Sequence, residues 1–236
     1  MSTRWKRLRQ RAEWLIVRVF AAVVPRLPRR VCHRLANSLG AAAAVLDRPG
    51  RQVARENLQC AFGAEFSAER RSQLVRQSYQ HFARAMSDLF WSARLTPAKF
   101  AQIFEVAGLE QIRAEHGRTQ GIIFAGLHYG GFEWIALALG RSGFDCTFVT
   151  QAFKNPLLDE PFVRLREVSG HPSIRRERAL LRLYKALQQG RSVAFTVDLT
   201  ISAKLPSVPI TCFGMQTCVT FAHAWLHERT GAPIVP

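Results

Sequence analysis

Residues 121–140 read GIIFAGLHYGGFEWIALALG, and this stretch decides the fold. Ile122 to Leu127 is an apolar run of the length and composition of a strand buried on both faces, and it stops at His128. Gly130 and Gly131 allow a tight turn. Phe132 to Leu139 is nearly all apolar and rich in Ala, Leu and Trp, so it reads as a helix that must itself be buried. The order strand, glycine turn, helix places His128 at the carboxyl end of a strand, where ligands of open α/β sheets gather. Glu133, at the start of the helix, is expected to fold back towards the imidazole.

A base with an orienting carboxylate suits one kind of chemistry. Neutral histidine can accept the proton of an attacking hydroxyl near neutral pH, and a carboxylate on its other ring nitrogen fixes the tautomer and stabilises the imidazolium. The nucleophile can therefore be the substrate's own hydroxyl. Amides of the Gly130-Gly131 turn are candidates to hold the oxyanion that forms. A zinc site is disfavoured, because a helical metal pair wants two histidines four apart and no second histidine lies near. The same residues also fit a plain capping arrangement, in which Glu133 complements the helix dipole and His128 only ends the strand.

The rest of the chain narrows the class. With 236 residues, 48% of them hydrophobic, it has the material for one large domain with a sizeable core. A formal charge of +16, from 33 Lys and Arg against 17 Asp and Glu, asks for an anionic partner. Five cysteines are scattered without a Cys-x-x-Cys pair, which suggests neither a disulfide framework nor a zinc site and points to a reducing, cytosol-facing location. Ten Lys and Arg fall within residues 1–34, opposed only by Glu13, around an apolar run from Trp14 to Val24. That run is shorter than the ~20 residues of a spanning helix. It suits a basic amphipathic segment lying on an anionic membrane surface and ended by Pro25 and Pro28. A basic helix packed on the domain is the competing reading, and a nucleic-acid partner lacks any recognisable signature.

Helical spacing continues from Val31 to Trp91, with a break at Arg48-Pro49-Gly50 and a new start capped by Ser67. Phe104 to Val106 reads as a short strand. Phe144 to Thr150 reads as the next parallel strand, giving a βαβ unit around the motif. Arg164 to Arg191 gathers eight Lys and Arg, a second basic cluster, of which Arg178, Arg182 and Lys185 fit a solvated helix face. Ser192 to Val197 is another apolar strand, and it ends at Asp198 as the first ends at His128. Pro206 to Phe213 is expected to be extended, Thr217 to Thr230 helical, and Ala232 to Pro236 the start of a strand. The fold class is thus α/β, a mostly parallel central sheet flanked by helices, with an N-terminal helical membrane anchor in residues 1–34 ahead of a domain spanning 35–236.

His128-Tyr-Gly-Gly-Phe-Glu133 resembles the His-x-x-x-x-Asp/Glu motif of the lysophospholipid acyltransferase superfamily, in the form found in the lipid A late acyltransferases. The likeness continues through Arg55-Glu56-Asn57-Leu58, Lys154-Asn155-Pro156-Leu157-Leu158-Asp159, Arg164-Leu165-Arg166-Glu167, Asp198, Phe213-Gly214 and Thr230-Gly231-Ala232-Pro233. It covers almost the whole chain, in the family's order. The sequence departs from many members at Leu199 and Gln151, positions that bear on substrate identity.

What the resemblance implies is an O-acyltransferase at the cytoplasmic face of the bacterial inner membrane. The acyl donor would be acyl carrier protein or acyl-CoA, and the acceptor an anionic glycolipid, above all a lipid A precursor. A mannosylated phosphoinositide or an ornithine lipid would be an alternative acceptor. His128 and Glu133 would be catalytic, and Gly130, Gly131, Arg164, Arg166 and Asp198 would contact substrate. No metal, organic cofactor or nucleic acid is implied. The helices between Val31 and Trp91 would contribute to a hydrocarbon pocket. The resemblance also implies further elements after Pro236, so the chain reads as a C-terminally incomplete member, and a non-catalytic membrane-associated homologue is the rival from another class.

Overall fold

A computed structural model describes residues 3–119 and 121–236. Positions 1 and 2 of the basic N-terminal segment, and position 120 in the stretch from Leu109 to the central strand, lie outside it. Helix α1 (Thr3–Val23) ends where Pro25 enters a short 3-10 turn, and Pro28 stands immediately before α2 (Arg29–Leu46). Helix α3 (Arg48–Phe62) begins at Arg48, so it includes the Arg48-Pro49-Gly50 stretch expected as a break. Asp47 caps it by accepting the Gly50 amide at 3.0 Å, and a proline in the first turn has no partner to lose. Ser67 caps α4 (Ala68–Trp91) through the Arg70 amide at 3.2 Å, as its sequence context indicates.

The chain continues through α5 (Pro97–Ile103), α6 (Leu109–Thr119), β1 (Ile123–Gly126), α7 (Trp134–Arg141), β2 (Cys146–Thr150), α8 (Asp159–Arg166), β3 (Ser173–Arg175), α9 (Ala179–Gln188) and β4 (Ser192–Thr196). It ends with β5 (Val208–Cys212), β6 (Met215–Val219), α10 (Ala222–Thr230) and β7 (Ile234–Val235). Residues 104–106, expected as a strand, connect α5 to α6 without regular structure.

Five strands form one parallel sheet in the order β3-β2-β4-β1-β7. The expected βαβ unit exists, but β4 lies between β1 and β2, so the crossover through α7 skips one strand position. Side chains along β1 alternate between faces. Ile123 packs with Leu183 and Leu187 of α9 and Leu226 of α10, while Ile122 and Phe124 pack with Leu139 of α7 and with Phe144. Ile122, Ile123, Val193 and Leu226 have no solvent exposure. At about 1.5–3 kcal/mol for each fully buried aliphatic side chain, these contacts on both faces hold the sheet.

A separate cluster joins the helices: Leu89, Phe90 and Trp91 at the end of α4 meet Trp134 and Leu137 of α7, Phe162 of α8, and Val24 and Cys32 from the N-terminal segment. Val17, Phe20 and Ala21 of α1 pack against it, whereas Leu8, Leu15, Ile16 and Val19 are exposed. No helix among the described residues is long and apolar enough to cross a membrane. The anchor expected in residues 1–34 is therefore not a spanning helix. Thr217 to Val219, expected in a helix, instead belong to β6, which pairs antiparallel with β5. The cause is the Phe213-Gly214 turn, where both residues have positive φ, 50° and 74°, as a tight hairpin turn requires.

Candidate active site

The site lies at the carboxyl end of the two central strands. In the parallel pairing of β1 with β4, Gly126 stands opposite Thr196. His128 and Asp198 each follow two residues later, so the register alone brings them side by side. Asp198 then grips His128 twice: Oδ1 is 2.8 Å from His128 Nδ1, and Oδ2 accepts the His128 backbone amide at 2.9 Å. Both side chains are about one-third exposed, at 31% each. Burial raises the Asp198 carboxyl, but the bonds it accepts from the His128 ring and from the backbone amides of His128 and Asp198 outweigh that, and the net shift is downward.

The other ring nitrogen faces away from this carboxylate, 3.5 Å from Thr196 Oγ1. Phe132 packs edge-on against the imidazole, with ring centroids 5.0 Å apart. Beside it the chain turns sharply, with the Tyr129 amide bonded to Leu127 O at 2.8 Å and Gly130 at φ 56°. A Cβ at Gly130 would have open space, so the glycine is required by conformation and not by crowding. Within the described residues no acceptor takes the amides of Gly130 or Gly131.

Glu133 does not fold back onto His128. It precedes Trp134, whose ring is buried and whose Nε1 donates to Asp88 O at 2.9 Å, and this pins the start of α7 to α4. The Glu133 side chain, 8% exposed, turns instead to Arg166 at the end of α8. Arg166 Nε and Nη2 donate to its two oxygens at 2.9 and 2.6 Å. The expectation that Glu133 meets His128 is thus corrected: its carboxylate sits in a buried fork with a guanidinium, a stronger and more directional partner than an imidazole. Arg166, expected to contact substrate, is engaged by Glu133. Arg164 stands apart on the surface, 74% exposed and paired with the equally open Glu160.

Among the described residues, no group of three or more His, Cys, Asp or Glu could hold a metal ion. A strand-end histidine fixed at one nitrogen and only loosely met by a hydroxyl at the other can accept a proton from a hydroxyl, and free amides lie in the next turn. A family comparison settles the class. Residues 1–236 match the family model for bacterial lipid A biosynthesis acyltransferases.

The chain belongs to that family. Comparison with curated proteins gave no match. Membership makes this chain an acyltransferase by family, and it bears directly on the histidine. In an acyltransferase that joins an acyl donor to a lipid acceptor, a proton must leave the attacking group as the new bond forms, the kind of step in which a histidine serves as general base. Sequence reasoning placed Asp198 with the substrate and missed it as the partner of His128. The available signal was that both residues end apolar strands. What was lacking was the fact that the two strands are neighbours.

Proposed function

We propose that this chain transfers a fatty acyl group from a thioester, on acyl carrier protein or coenzyme A, to a hydroxyl of an anionic glycolipid, foremost a lipid A precursor. The observation that carries the reading is the strand-end His128 of a family acyltransferase, held at Nδ1 by a carboxylate and met at Nε2 only by the long contact of the Thr196 hydroxyl. His128 Nε2 takes the proton of the acceptor hydroxyl while its oxygen bonds to the thioester carbonyl carbon. The carbon–sulfur bond then breaks, and the imidazolium returns the proton to the leaving thiolate. The Gly130 and Gly131 amides stabilise the oxyanion between these two events. Arg164, whose exposed ion pair with Glu160 is of the weak surface kind, is available to an acceptor phosphate.

In this reading the enzyme works at the cytoplasmic face of the inner membrane. Helix α1 lies on the anionic leaflet with Leu8, Leu15, Ile16 and Val19 towards the lipid, while its inner face stays on the domain. The test is acyl transfer by the purified protein from a radiolabelled acyl carrier protein thioester to lipid A precursor, with mass spectrometry locating the new ester. His128→Ala should lower kcat by roughly 10²–10⁴-fold with the fold intact, the usual contribution of a general base. Turnover of that variant near the parent rate would refute the mechanism.

A further inference from the structure

The β5–β6 hairpin stands off the main sheet with little of the protein over it. Its antiparallel register sets Val208 against Val219, Ile210 against Thr217 and Cys212 against Met215, and residues paired in this way share a face. One side of the ribbon is therefore apolar but for a single threonine. The other side carries Thr211 and Gln216, bonded to each other at 2.8 Å. Every residue from Val208 to Gln216 is exposed, so neither side is buried against the domain. Thr200 and Ile201, on the segment leaving β4, meet Thr217 Oγ1 and Cys218 O at 2.9 Å and tie down the base. A two-stranded ribbon on its own is only marginally stable in water. Resting on the membrane-surface reading above, we infer that this hairpin is a second lipid contact, whose tip, Phe213, enters the hydrocarbon of the leaflet beside the active site.

The tip carries the argument. A two-residue turn with positive φ at both central positions is filled with least strain by Asn-Gly. Here Phe213 takes the first position at φ 50°, a conformation uncommon for a bulky residue, and it is 60% exposed. The Phe62 ring at the end of α3 approaches it, with centroids 5.6 Å apart, and still leaves it mostly open. A strained position that presents an aromatic ring to the outside points to a use for that ring.

Charge and place select the partner. From Leu205 to His227 there is no Lys, Arg, Asp or Glu, although 21% of the chain is charged. An acidic protein or a nucleic acid would be met by cations, whereas a hydrocarbon layer excludes charge. The strand β4 leads past Asp198 and the exposed Leu199 into the hairpin segment, from the carboxyl edge of the sheet. At the same edge Asn155, beyond the end of β2, donates to Gln10 O and Glu13 Oε2 of α1, both at 2.9 Å. Helix α1 is thus docked on the edge from which the hairpin springs, and His128 ends a strand on that edge too. A lipid acceptor drawn from the same leaflet meets the histidine with its tails still in hydrocarbon.

The experiment mixes the full chain with phosphatidylcholine vesicles containing phosphatidylglycerol and compares the parent with Phe213→Asn by sedimentation, deuterium exchange and thermal unfolding. In the parent, vesicles should slow exchange of the amides from Val208 to Val219. Phe213→Asn should weaken vesicle binding by about tenfold or more, the loss expected when one large apolar side chain is withdrawn from hydrocarbon. The same change should hold or raise the thermal midpoint, because asparagine takes the turn with less strain. Undiminished binding of Phe213→Asn, or hairpin exchange indifferent to vesicles, overturns the inference. Protection that appears without vesicles, on adding acyl-CoA or on raising the protein concentration, overturns it in favour of an acyl-chain seat or a second copy of the chain. A parent that ignores vesicles altogether overturns the membrane reading beneath it. None of these readouts uses turnover, so a failure of the acyl-transfer mechanism, seen as an active His128→Ala, is separate. Should Phe213→Asn not fold, the exchange pattern of the parent decides.

Discussion

Arg166 holds Glu133 by both carboxylate oxygens, at 2.9 and 2.6 Å, across the gap between the end of α8 and the start of α7. The pair is mostly removed from water, with side-chain exposures of 21% and 8%. A buried pair of this kind contributes little over an apolar substitute, yet losing one member is costly because the other remains buried and charged. Arg166→Ala should therefore destabilise the protein by about 3 kcal/mol or more, and Arg166→Lys by less, since lysine keeps the charge without the fork. Denaturant midpoints measure both. Equal stability of Arg166→Ala and the parent would show that the pair carries no structural weight.

Stability should depend on pH through Asp198. Its carboxyl titrates below the ordinary range in the folded protein, so the folded state binds the proton less readily than the unfolded chain, whose aspartates titrate near ~4. The resulting stabilisation is present above that unfolded value and is lost as pH falls through the lowered folded one. The stability gap between the parent and Asp198→Asn should thus be largest near neutral pH and shrink from about pH 5 downwards. Chemical unfolding at several pH values reads this. A gap that widens in acid would reverse the sign and exclude the interaction as its source.

Gly40 sets how closely α2 approaches α4. A Cβ there would lie 2.6 Å from Gln80 Cα and 2.7 Å from Tyr79 O, and these are backbone atoms that cannot swing aside. Gly40→Val gains a few tenths of a kcal/mol in helix propensity but overpacks the contact, at a cost of about 1–3 kcal/mol, so the clash wins. A lowered thermal midpoint is expected. An unchanged or raised midpoint would mean that the two helices can separate freely.

The outer face of α1 can be tested without disturbing its inner one. Leu15 and Ile16 are each 58% exposed, whereas Val17 and Phe20 pack on the helical cluster. Replacing Leu15 and Ile16 together by Glu should weaken sedimentation with anionic vesicles and leave the thermal midpoint within about 0.5 kcal/mol equivalent of the parent, as surface changes usually do. Undiminished vesicle binding would remove α1 from the membrane contact. Deleting the helix would be a poorer experiment, because it strips apolar side chains from the core as well.

Much of this molecule was legible in the amino-acid order, because the physics concerned is local. An apolar run stopping at His128, paired glycines, a capping Ser67 and the Pro25 to Pro28 break act within a few residues of themselves, and the corresponding elements are where the sequence puts them. The family likeness was legible for the same reason, since its motifs are short. Where a local signal competed with a distant one, the sequence misled. Thr217 to Val219 have no reason of their own to refuse a helix; the Phe213-Gly214 turn folds them back on β5, and that pairing makes them a strand. The division of the two carboxylates was wholly tertiary. Glu133 lies five positions from His128 and is the obvious partner along the chain, whereas Asp198 lies seventy away. Hydrogen bonding between β1 and β4 reverses that order of nearness, and the buried guanidinium of Arg166 claims the glutamate.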